Sequence, residues 1–363
     1  MKLNIYMIVF GVIAAIIVIA ALSTIFFNQN LASASVSLAN LTNYGPAPNF
    51  QGISAWINSQ PLNISQLKGK IVLVDFWTYS CINCIRTIPF LEALQSEYGN
   101  NGLVIVGVHT PEFQFEHNLT NVENAVKRFN ITYPVALDNN YSTWDAYGNE
   151  YWPADYLIDQ NGDIRYKSFG ESPTSFNQTQ KIIQELLESA NYTLPSNVVN
   201  VRDVLNFTQE ISPEMYFGWE ELASGRTNYF GNLAGFEPDN ITDYVITNTS
   251  QADTIYMGGK WYNDPYSMIA ESNRSKIILI YRAKSVNVVA SGNGKNTSIS
   301  VTLDGQNLSH DDLGSDDHLV NGTAIVNISA PRLYNIVNAS SYGWHTLEIN
   351  ANPNFKIYTF TFG

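Results

Sequence analysis

The chain has only two cysteines in 363 residues, Cys81 and Cys84, separated by Ile and Asn. The apolar run at 71–77 before them predicts a buried strand, and the apolar stretch at 85–98 after them predicts a helix. Cys81 would then stand at a helix N-terminus, where unpaired N–H groups and the helix dipole favour thiolate over thiol. A thiolate beside a second thiol can exchange disulfides by attack, mixed disulfide formation and resolution.

Other chemistries fit this cysteine pair less well. Zinc needs two further ligands, and the five histidines show no suitable spacing, so no metal is predicted. A structural disulfide between residues three apart would close too small a loop to stabilise the fold much. A peroxidase would need a proline where this chain has Val74. Redox chemistry is the preferred interpretation, and it requires no cofactor beyond the sulfurs.

The surroundings of the pair resemble the thioredoxin fold. Asp75 stands six residues before Cys81, and Pro89 stands eight residues after it. Further along, Trp152-Pro153 opens an apolar segment that resembles the strand carrying that fold's cis-proline. The resemblance implies a buried acid, a helix bent at Pro89, and a cis Pro153 beside a peptide that pairs with substrate backbone.

Longer segments resemble the extracytoplasmic thioredoxin-like half of DipZ-type cytochrome c biogenesis proteins, relatives of the TlpA and ResA reductases. The segments are Trp77-Thr-Tyr-Ser-Cys-Ile-Asn-Cys84, Gly107-Val-His-Thr-Pro-Glu-Phe113, Tyr133-Pro-Val-Ala-Leu-Asp138 and Tyr151-Trp-Pro-Ala154. Less specific matches continue to Phe360-Thr-Phe-Gly363, so the resemblance covers about 46–363. DipZ-type chains begin with a multi-helix electron-transfer domain, whereas this chain has one hydrophobic segment. A reductase of this kind needs electrons from a separate, CcdA-like membrane protein.

Roles for the cysteines and acids follow from the resemblance. Cys81 is expected to be the exposed nucleophile and Cys84 the shielded resolving thiol. Asp75, on the strand beneath them, would have its pKa raised by burial, which suits a proton relay for Cys84. The alternative for Asp75 is a satisfied polar group of the core. Glu112, just past the next strand, is expected to tune the proton affinity of the cysteines, or to be an ordinary loop acid.

The aromatic residues near the motif are expected to contact substrate. Trp77, Tyr79 and Trp152 would form an apolar rim that admits an extended or unfolded protein containing cysteine. For Trp77, packing in the core is an equal alternative. His109 is expected to be a satisfied histidine at the end of a strand.

The N-terminal segment at 5–27 holds 23 residues without a charge, enough to span a membrane. Lys2 precedes it and no charged residue follows until Lys68, which predicts a cytosolic N-terminus and an extracytoplasmic bulk. A cleaved signal peptide is the alternative, since Ala32-Ser-Ala34 offers a cleavage pattern. Sixteen Asn-x-Ser/Thr sequons fit a glycosylated surface protein. The net charge of −13 argues against nucleic acid as a partner.

The rest of the chain divides by composition into a linker and two domains. An uncharged linker at 28–48 precedes a thioredoxin-like α/β domain at 49–192, in which strand and helix patterns alternate. Short β-rich runs separated by Gly, Asn and Asp then predict an all-β sandwich or jelly roll at 200–363, similar to carbohydrate-binding modules.

The task of the second domain stays open at the level of sequence. Its aromatic residues could form a glycan-binding platform or belong to the core; they are Trp219, Tyr229, Phe230, Trp261, Tyr342 and Trp344. An acidic loop at 310–318 could hold Ca²⁺ or be a solvated surface loop. The whole chain is predicted to be a membrane-anchored protein-disulfide reductase. A disulfide-forming oxidant and a surface glycan-binding scaffold remain alternatives.

Overall fold

The computed structural model describes residues 41–195, 209–225 and 230–363. The predicted anchor at 5–27 and the first part of the predicted linker lie outside these residues. Within them, no helix is long and apolar enough to cross a membrane. The described residues form an α/β half and a β half, and each has its own hydrophobic core.

The α/β half is built on a six-stranded sheet with the order β1-β4-β3-β2-β5-β6. Its strands are β1 Ala55–Ile57, β2 Ile71–Trp77, β3 Leu103–His109, β4 Val135–Leu137, β5 Ala154–Ile158 and β6 Ile164–Phe169. β2, β3 and β4 are parallel neighbours, whereas β5, β6 and β1 pair antiparallel. The two strands predicted at 71–77 and 103–109 are confirmed.

Helices cover this sheet, as the alternating pattern predicted. They are α1 Ile82–Tyr98, α2 Leu119–Arg128, α3 Ser142–Tyr147 and α4 Pro173–Ser189. All seven residues of β2 are buried, since one core lies on each face of the sheet. A central parallel strand buried on both faces reads as a continuous apolar run, which is why β2 was visible in the sequence.

The last residues of the predicted linker lie against this sheet. Pro46 forms a β-bridge with Asp163, and the backbone N–H of Tyr44 donates to the carbonyl of Ile164 at 2.9 Å. Ala47 N–H donates to Gly162 at 2.9 Å. The chain therefore joins the α/β half before residue 48, along the outer strand β6.

The β half consists of eleven strands and one short helix, α5 Trp219–Ala223. The strands are β7 Met215–Tyr216, β8 Ile241–Tyr244, β9 Thr254–Asp264, β10 Ser267–Ala270, β11 Ser275–Ser291, β12 Thr297–Leu303, β13 Gln306–Asn307, β14 Asp317–Val320, β15 Thr323–Ile328, β16 Arg332–Ala351 and β17 Lys356–Phe362. The all-β character of this half agrees with the sequence prediction.

The strands of the β half form one continuous hydrogen-bonded sheet among the described residues. β11 pairs with β16 over nearly its whole length, with β9 along its first part, and with β17 along its last part. The register shifts between Ala283 and Ser285, where the partner on one side changes. β11 therefore pairs with β16 on one side and with β9 and then β17 on the other, which links these strands into one sheet.

An apolar interdomain cluster joins the two halves. Its buried members are Phe113, Tyr216, Val289, Leu333 and Tyr358. The rings of Phe113 and Tyr358 lie 5.3 Å apart between centroids. Because this surface consists of buried rings and aliphatic side chains, its contact stabilises the two halves against each other.

Hydrogen bonds from the loop and helix of the cysteine motif extend this contact. The Tyr79 hydroxyl donates to the carbonyl of Pro331 at 3.2 Å, and an Nη2 proton of Arg86 is donated to the carbonyl of Phe362 at 3.3 Å. Arg86 also forms a salt bridge with Glu171 at 3.0 Å. The β half is therefore held directly against the segment that carries the cysteines.

Candidate redox site

Cys81 follows β2 and is the N-cap residue of α1. Its Sγ accepts a hydrogen bond from the backbone N–H of Cys84, with an N···S distance of 3.2 Å. The two Sγ atoms lie 2.6 Å apart, and both cysteines are free thiols. The strand-loop-helix order brings the two sulfurs together at one helix end.

The two thiols differ in exposure. Cys81 is partly exposed and lines a pocket of about 240 Å³, whereas Cys84 is completely buried. An attacking sulfur must reach the substrate, but a resolving sulfur needs to reach only the first sulfur. The geometry fits Cys81 as nucleophile and Cys84 as resolving thiol.

The electrostatics of Cys81 differ from the sequence prediction of a favoured thiolate. Burial raises the pKa of the Cys81 thiol, and the charges of Glu214 and Glu112 raise it further. Hydrogen bonds from Cys84 lower the pKa of Cys81 but do not offset the desolvation. The pKa of Cys84 is also raised, first by burial and then by Cys81. The predicted direction was wrong, because loss of water outweighs the donors of the helix end.

Two carboxyl groups face each other on the strands that carry the site. Asp75 on β2 pairs in register with Asp155 on β5, and Asp75 is 1% exposed. Burial raises the pKa of Asp75 well above its ordinary value, and Asp155 raises it further. Burial also raises the pKa of Asp155, to about 7. Two neighbouring carboxyls resist ionising together, so the pair retains a proton at neutral pH.

The carboxyl pair lies within electrostatic reach of the resolving thiol. The charge of Asp75 is one of the influences that raise the pKa of Cys84. A negative charge on the pair therefore raises the pKa of Cys84 and keeps this thiol protonated. This effect is absent when both carboxyls are protonated. The prediction that Asp75 is buried is confirmed; its partner Asp155 was missed.

The peptide bond between Trp152 and Pro153 is cis, as predicted. Trp152 lines the pocket together with Cys81, and its ring packs against Trp144 at a centroid distance of 4.4 Å. Tyr151 lines the same pocket, and the sequence analysis did not single it out. This segment forms the pocket wall contributed by the start of β5.

Trp77 and Tyr79 are each 1% exposed, so the predicted rim position was wrong for Tyr79, and for Trp77 the alternative of core packing is confirmed. Trp77 belongs to the fully buried strand β2, and its ring stands edge-on to His109. Tyr79 stacks on His109 and donates to Pro331 of the β half. The second domain covers Tyr79, and of the three predicted rim residues Trp152 alone lines the pocket.

Glu112 lines the pocket, and its backbone is hydrogen-bonded to a second acid, Glu116, which is completely buried. Glu116 was not predicted from the sequence. Glu116 lies in the short 3-10 helix Gln114–His117. Its Oε1 accepts the Ser80 hydroxyl at 2.5 Å, and its Oε2 accepts backbone N–H groups of Glu112 and Phe113 at 2.6 and 2.9 Å. Burial raises the pKa of Glu116 to about 7, although the hydrogen bonds from Ser80 and Phe113 lower it. Glu116 ties the loop before Cys81 to the segment that carries Glu112.

His109 is buried between the motif aromatics, with Nε2 3.3 Å from the Thr78 hydroxyl oxygen. Burial lowers the pKa of His109 to about 3, so the ring is neutral near pH 7. Its Nδ1 has no hydrogen-bond partner among the residues that the structure describes. The expectation of a fully satisfied histidine was therefore only half right.

The aromatic residues proposed for a glycan platform are dispersed. Trp261 is completely buried in the core of the β half, and Tyr229 lies outside the described residues. Tyr342 and Trp344 remain on β16, where the guanidinium of Arg282 lies 5.4 and 5.9 Å from their ring centroids. In the described ranges, no group of His, Cys, Asp and Glu side chains is arranged to hold a metal ion, including the acidic loop at 310–318.

Comparison with known proteins gives one family match for each half of the chain. Residues 44–186 match the Redoxin family, and residues 212–363 match the family described as "Thioredoxin like C-terminal domain". Protein DipZ of Mycobacterium tuberculosis is 34% identical over 342 residues, which cover 93% of this chain and 45% of DipZ. The chain thus spans about half the length of this relative.

Two shorter relatives match the α/β half. The thiol-disulfide oxidoreductase YkuV of Bacillus subtilis is 29% identical over 35% of this chain and 85% of its own length. The thiol-disulfide oxidoreductase ResA of Halalkalibacterium halodurans is 27% identical over 36% of this chain and 69% of its own length. The chain therefore contains a Redoxin domain and a thioredoxin-like C-terminal domain, and it is similar to DipZ and to the thiol-disulfide oxidoreductases YkuV and ResA.

Proposed function

We propose that this protein reduces disulfides of other proteins through Cys81 and Cys84, on the extracytoplasmic side of a membrane. The observation that carries the proposal is the arrangement of the sulfurs: a partly exposed Cys81 is hydrogen-bonded to a buried Cys84, close to the Asp75–Asp155 carboxyl pair. The homologues named DipZ, YkuV and ResA support the same chemistry.

The reaction uses both sulfurs and balances without a cofactor. The Cys81 thiolate attacks one sulfur of the substrate disulfide, and the other substrate sulfur leaves as a thiolate that takes up a proton. Cys84 then passes its proton to the ionised carboxylate of the singly protonated Asp75–Asp155 pair and attacks Cys81 Sγ, and the second substrate sulfur leaves as a thiolate that takes up a proton. The substrate gains two electrons and two protons, and the protein is left with a Cys81–Cys84 disulfide.

The reducing direction is supported by the pKa of the cysteines. Strong oxidants of this fold stabilise their reduced form, with the attacking cysteine held as thiolate. In this chain burial raises the pKa of Cys81, and Glu214 and Glu112 add to the effect. A destabilised thiolate favours loss of electrons to a substrate disulfide, which is the property of a reductant.

The proposed cellular role follows the DipZ and ResA homologues. Electrons would come from a separate, CcdA-like membrane donor, as the resemblance to DipZ-type proteins implies. The substrate class would be extracytoplasmic proteins whose cysteines must be reduced, such as apocytochrome c before haem attachment. The hydrophobic segment at 5–27 would anchor the protein beside that donor.

The test is turnover of insulin disulfides by the full chain in detergent, with Cys81→Ser and Cys84→Ser variants. Both variants should lose turnover, and Cys84→Ser alone should accumulate a mixed disulfide on Cys81 that dithiothreitol releases and mass spectrometry detects. Circular dichroism of each variant serves as the folding control. Turnover that persists in both variants would contradict the assignment of disulfide reduction to Cys81 and Cys84.

A further inference from the structure

The β half supplies one wall of the pocket above Cys81. Glu214, Tyr216, Thr359 and Thr361 line it from that side, facing Cys81 and the Trp152 segment. Tyr216 and Thr359 are paired across β7 and β17, so this wall is part of the sheet. A peptide that reaches Cys81 through this pocket therefore contacts both halves of the molecule.

The pocket is acidic on both sides. Glu112 and Glu150 come from the α/β half and Glu214 from the β half, and among the residues that the structure describes no lysine, arginine or histidine lines this pocket. The Tyr216 hydroxyl oxygen lies 2.9 Å from Glu112 Oε1 and 3.0 Å from Glu214 Oε2. The arrangement concentrates negative charge around the nucleophilic sulfur.

A second feature of the same wall points to an occupant. Thr361 is 3% exposed and lines the pocket, and its Oγ1 has no hydrogen-bond partner in the described structure. The neighbouring Thr359 hydroxyl, in contrast, donates to the carbonyl of Met215 at 3.0 Å. Buried hydroxyls are rarely left unpaired, because each lost hydrogen bond has a cost in free energy. A polar group of a bound peptide would satisfy Thr361.

We propose that this wall makes the protein selective for disulfide substrates in which lysine or arginine stands beside the reacting cysteine. The proposal rests on the disulfide reductase function above and names its substrate class. A substrate cation placed among Glu112, Glu150 and Glu214 gains attraction that a neutral or acidic segment lacks. The same cation offsets the carboxylates that disfavour the Cys81 thiolate, so a basic substrate both binds better and activates its attacker.

The test uses three disulfide-linked peptides of equal length that differ only in the residues flanking cysteine, which are lysine, glutamine or glutamate. With the full chain, kcat/KM should fall about tenfold from lysine to glutamine and again from glutamine to glutamate, and raised salt should compress the series. Equal rates for the three peptides would overturn the selectivity proposal alone. Failure to reduce any of them would instead overturn the reductase function.

Substitutions in the pocket wall contributed by the β half test whether this wall causes the selectivity. Glu214→Gln should reduce the lysine-to-glutamate ratio of kcat/KM several-fold, whereas Glu237→Gln, an equal charge change on the exposed surface of the β half, should not change it. An unchanged ratio in Glu214→Gln would contradict the assignment. Thr361→Val should raise KM for all three peptides alike without lowering the melting temperature, because Thr361 Oγ1 makes no hydrogen bond with any residue that the structure describes. A lowered melting temperature with unchanged KM would identify Thr361 as merely structural.

Discussion

The carboxyl groups beneath the cysteines and those above them occupy contrasting surroundings. Asp75 and Asp155 face each other within the sheet of the α/β half, where loss of water raises the pKa of each. Glu112 and Glu214 stand at the pocket, one from each half, on either side of the Tyr216 hydroxyl. In the proposed mechanism the lower pair, Asp75 and Asp155, stores a proton for Cys84, and the upper pair, Glu112 and Glu214, presents charge to the substrate.

The contrast teaches how the two halves share the work. Proton transfer needs groups shielded from water, which the central strands of the α/β sheet provide. Substrate selection needs groups that an incoming chain can reach, and four of the eleven pocket-lining residues, including Glu214, lie on the β half. The β half is therefore placed as part of the redox site, held by the interdomain cluster and by Tyr79.

The largest expected effect concerns the lower pair. Asp75→Asn should slow resolution of the mixed disulfide by about 100-fold, since a positioned base contributes about 10²–10⁴ to a proton transfer. Asp155→Asn, the matched variant on the facing strand, should slow it less, by about tenfold, because Asp75 remains. Rapid acid quenching of a Cys81 mixed disulfide measures the rate. Wild-type resolution in Asp75→Asn would assign Asp75 to packing alone.

The lower pair also predicts a pH dependence of stability. A carboxyl whose pKa is raised by folding binds more protons in the native state than in the unfolded state, so its stabilisation is complete below about pH 4 and is lost as pH rises toward 7. The free energy of unfolding should fall over that range by about 1.4 kcal/mol for each unit of raised pKa. Urea denaturation between pH 4 and 8 measures it. Asp155→Asn should flatten the curve, and an unchanged slope would contradict the buried pair.

Glu116 combines features of both pairs. It is buried like the lower pair, but it is hydrogen-bonded to the backbone of Glu112, which lines the pocket. Glu116→Gln places an amide against backbone donors and should lower the free energy of unfolding by about 2 kcal/mol. Glu123→Gln on α2 is the control and should change it by less than about 0.5 kcal/mol. Equal stability of the two variants would show that the contacts of Glu116 are not holding the Cys81 loop.

The smallest expected effect is that of Tyr216→Phe, which removes the hydroxyl between Glu112 and Glu214. Loss of one bridging hydrogen bond should cost about 1 kcal/mol of stability, and the ring should keep its place in the interdomain cluster. Tyr262→Phe in β9 is the matched control. Thermal unfolding measures the stability of both variants. A change in Tyr216→Phe no larger than that in the control would show that the Tyr216 hydroxyl does not stabilise the interdomain contact.

The parts of the site that a sequence reveals are those fixed by local order. β2, the cysteines and Asp75 lie within fourteen residues, and a fully apolar strand followed by a helix specifies their placement. The cis-proline was recognised through the residues around it. Asp155 was missed because its meaning depends on β5 pairing with β2 in one particular register, which no local pattern contains.

The remaining errors have a common physical origin in contacts between distant segments. Tyr79 was predicted at the rim, but a carbonyl 252 residues away accepts its hydroxyl. The direction of the Cys81 pKa was predicted from the helix end alone, whereas burial and Glu214 of the other half decide it. In the β half, short apolar runs were recognised as strands, but β11 and β16 proved to be long strands of 17 and 20 residues that pair with several partners.

The central claim is that the Cys81–Cys84 pair is a reductant whose thiolate is disfavoured by its surroundings. The most direct test is the reduction potential of the full chain, equilibrated in defined thiol buffers, alkylated and weighed. The account predicts a value near the thioredoxin end of the scale, about −270 mV. A value near about −120 mV would identify an oxidant that stabilises its reduced form, and would contradict both the proposed direction and the cytochrome maturation role.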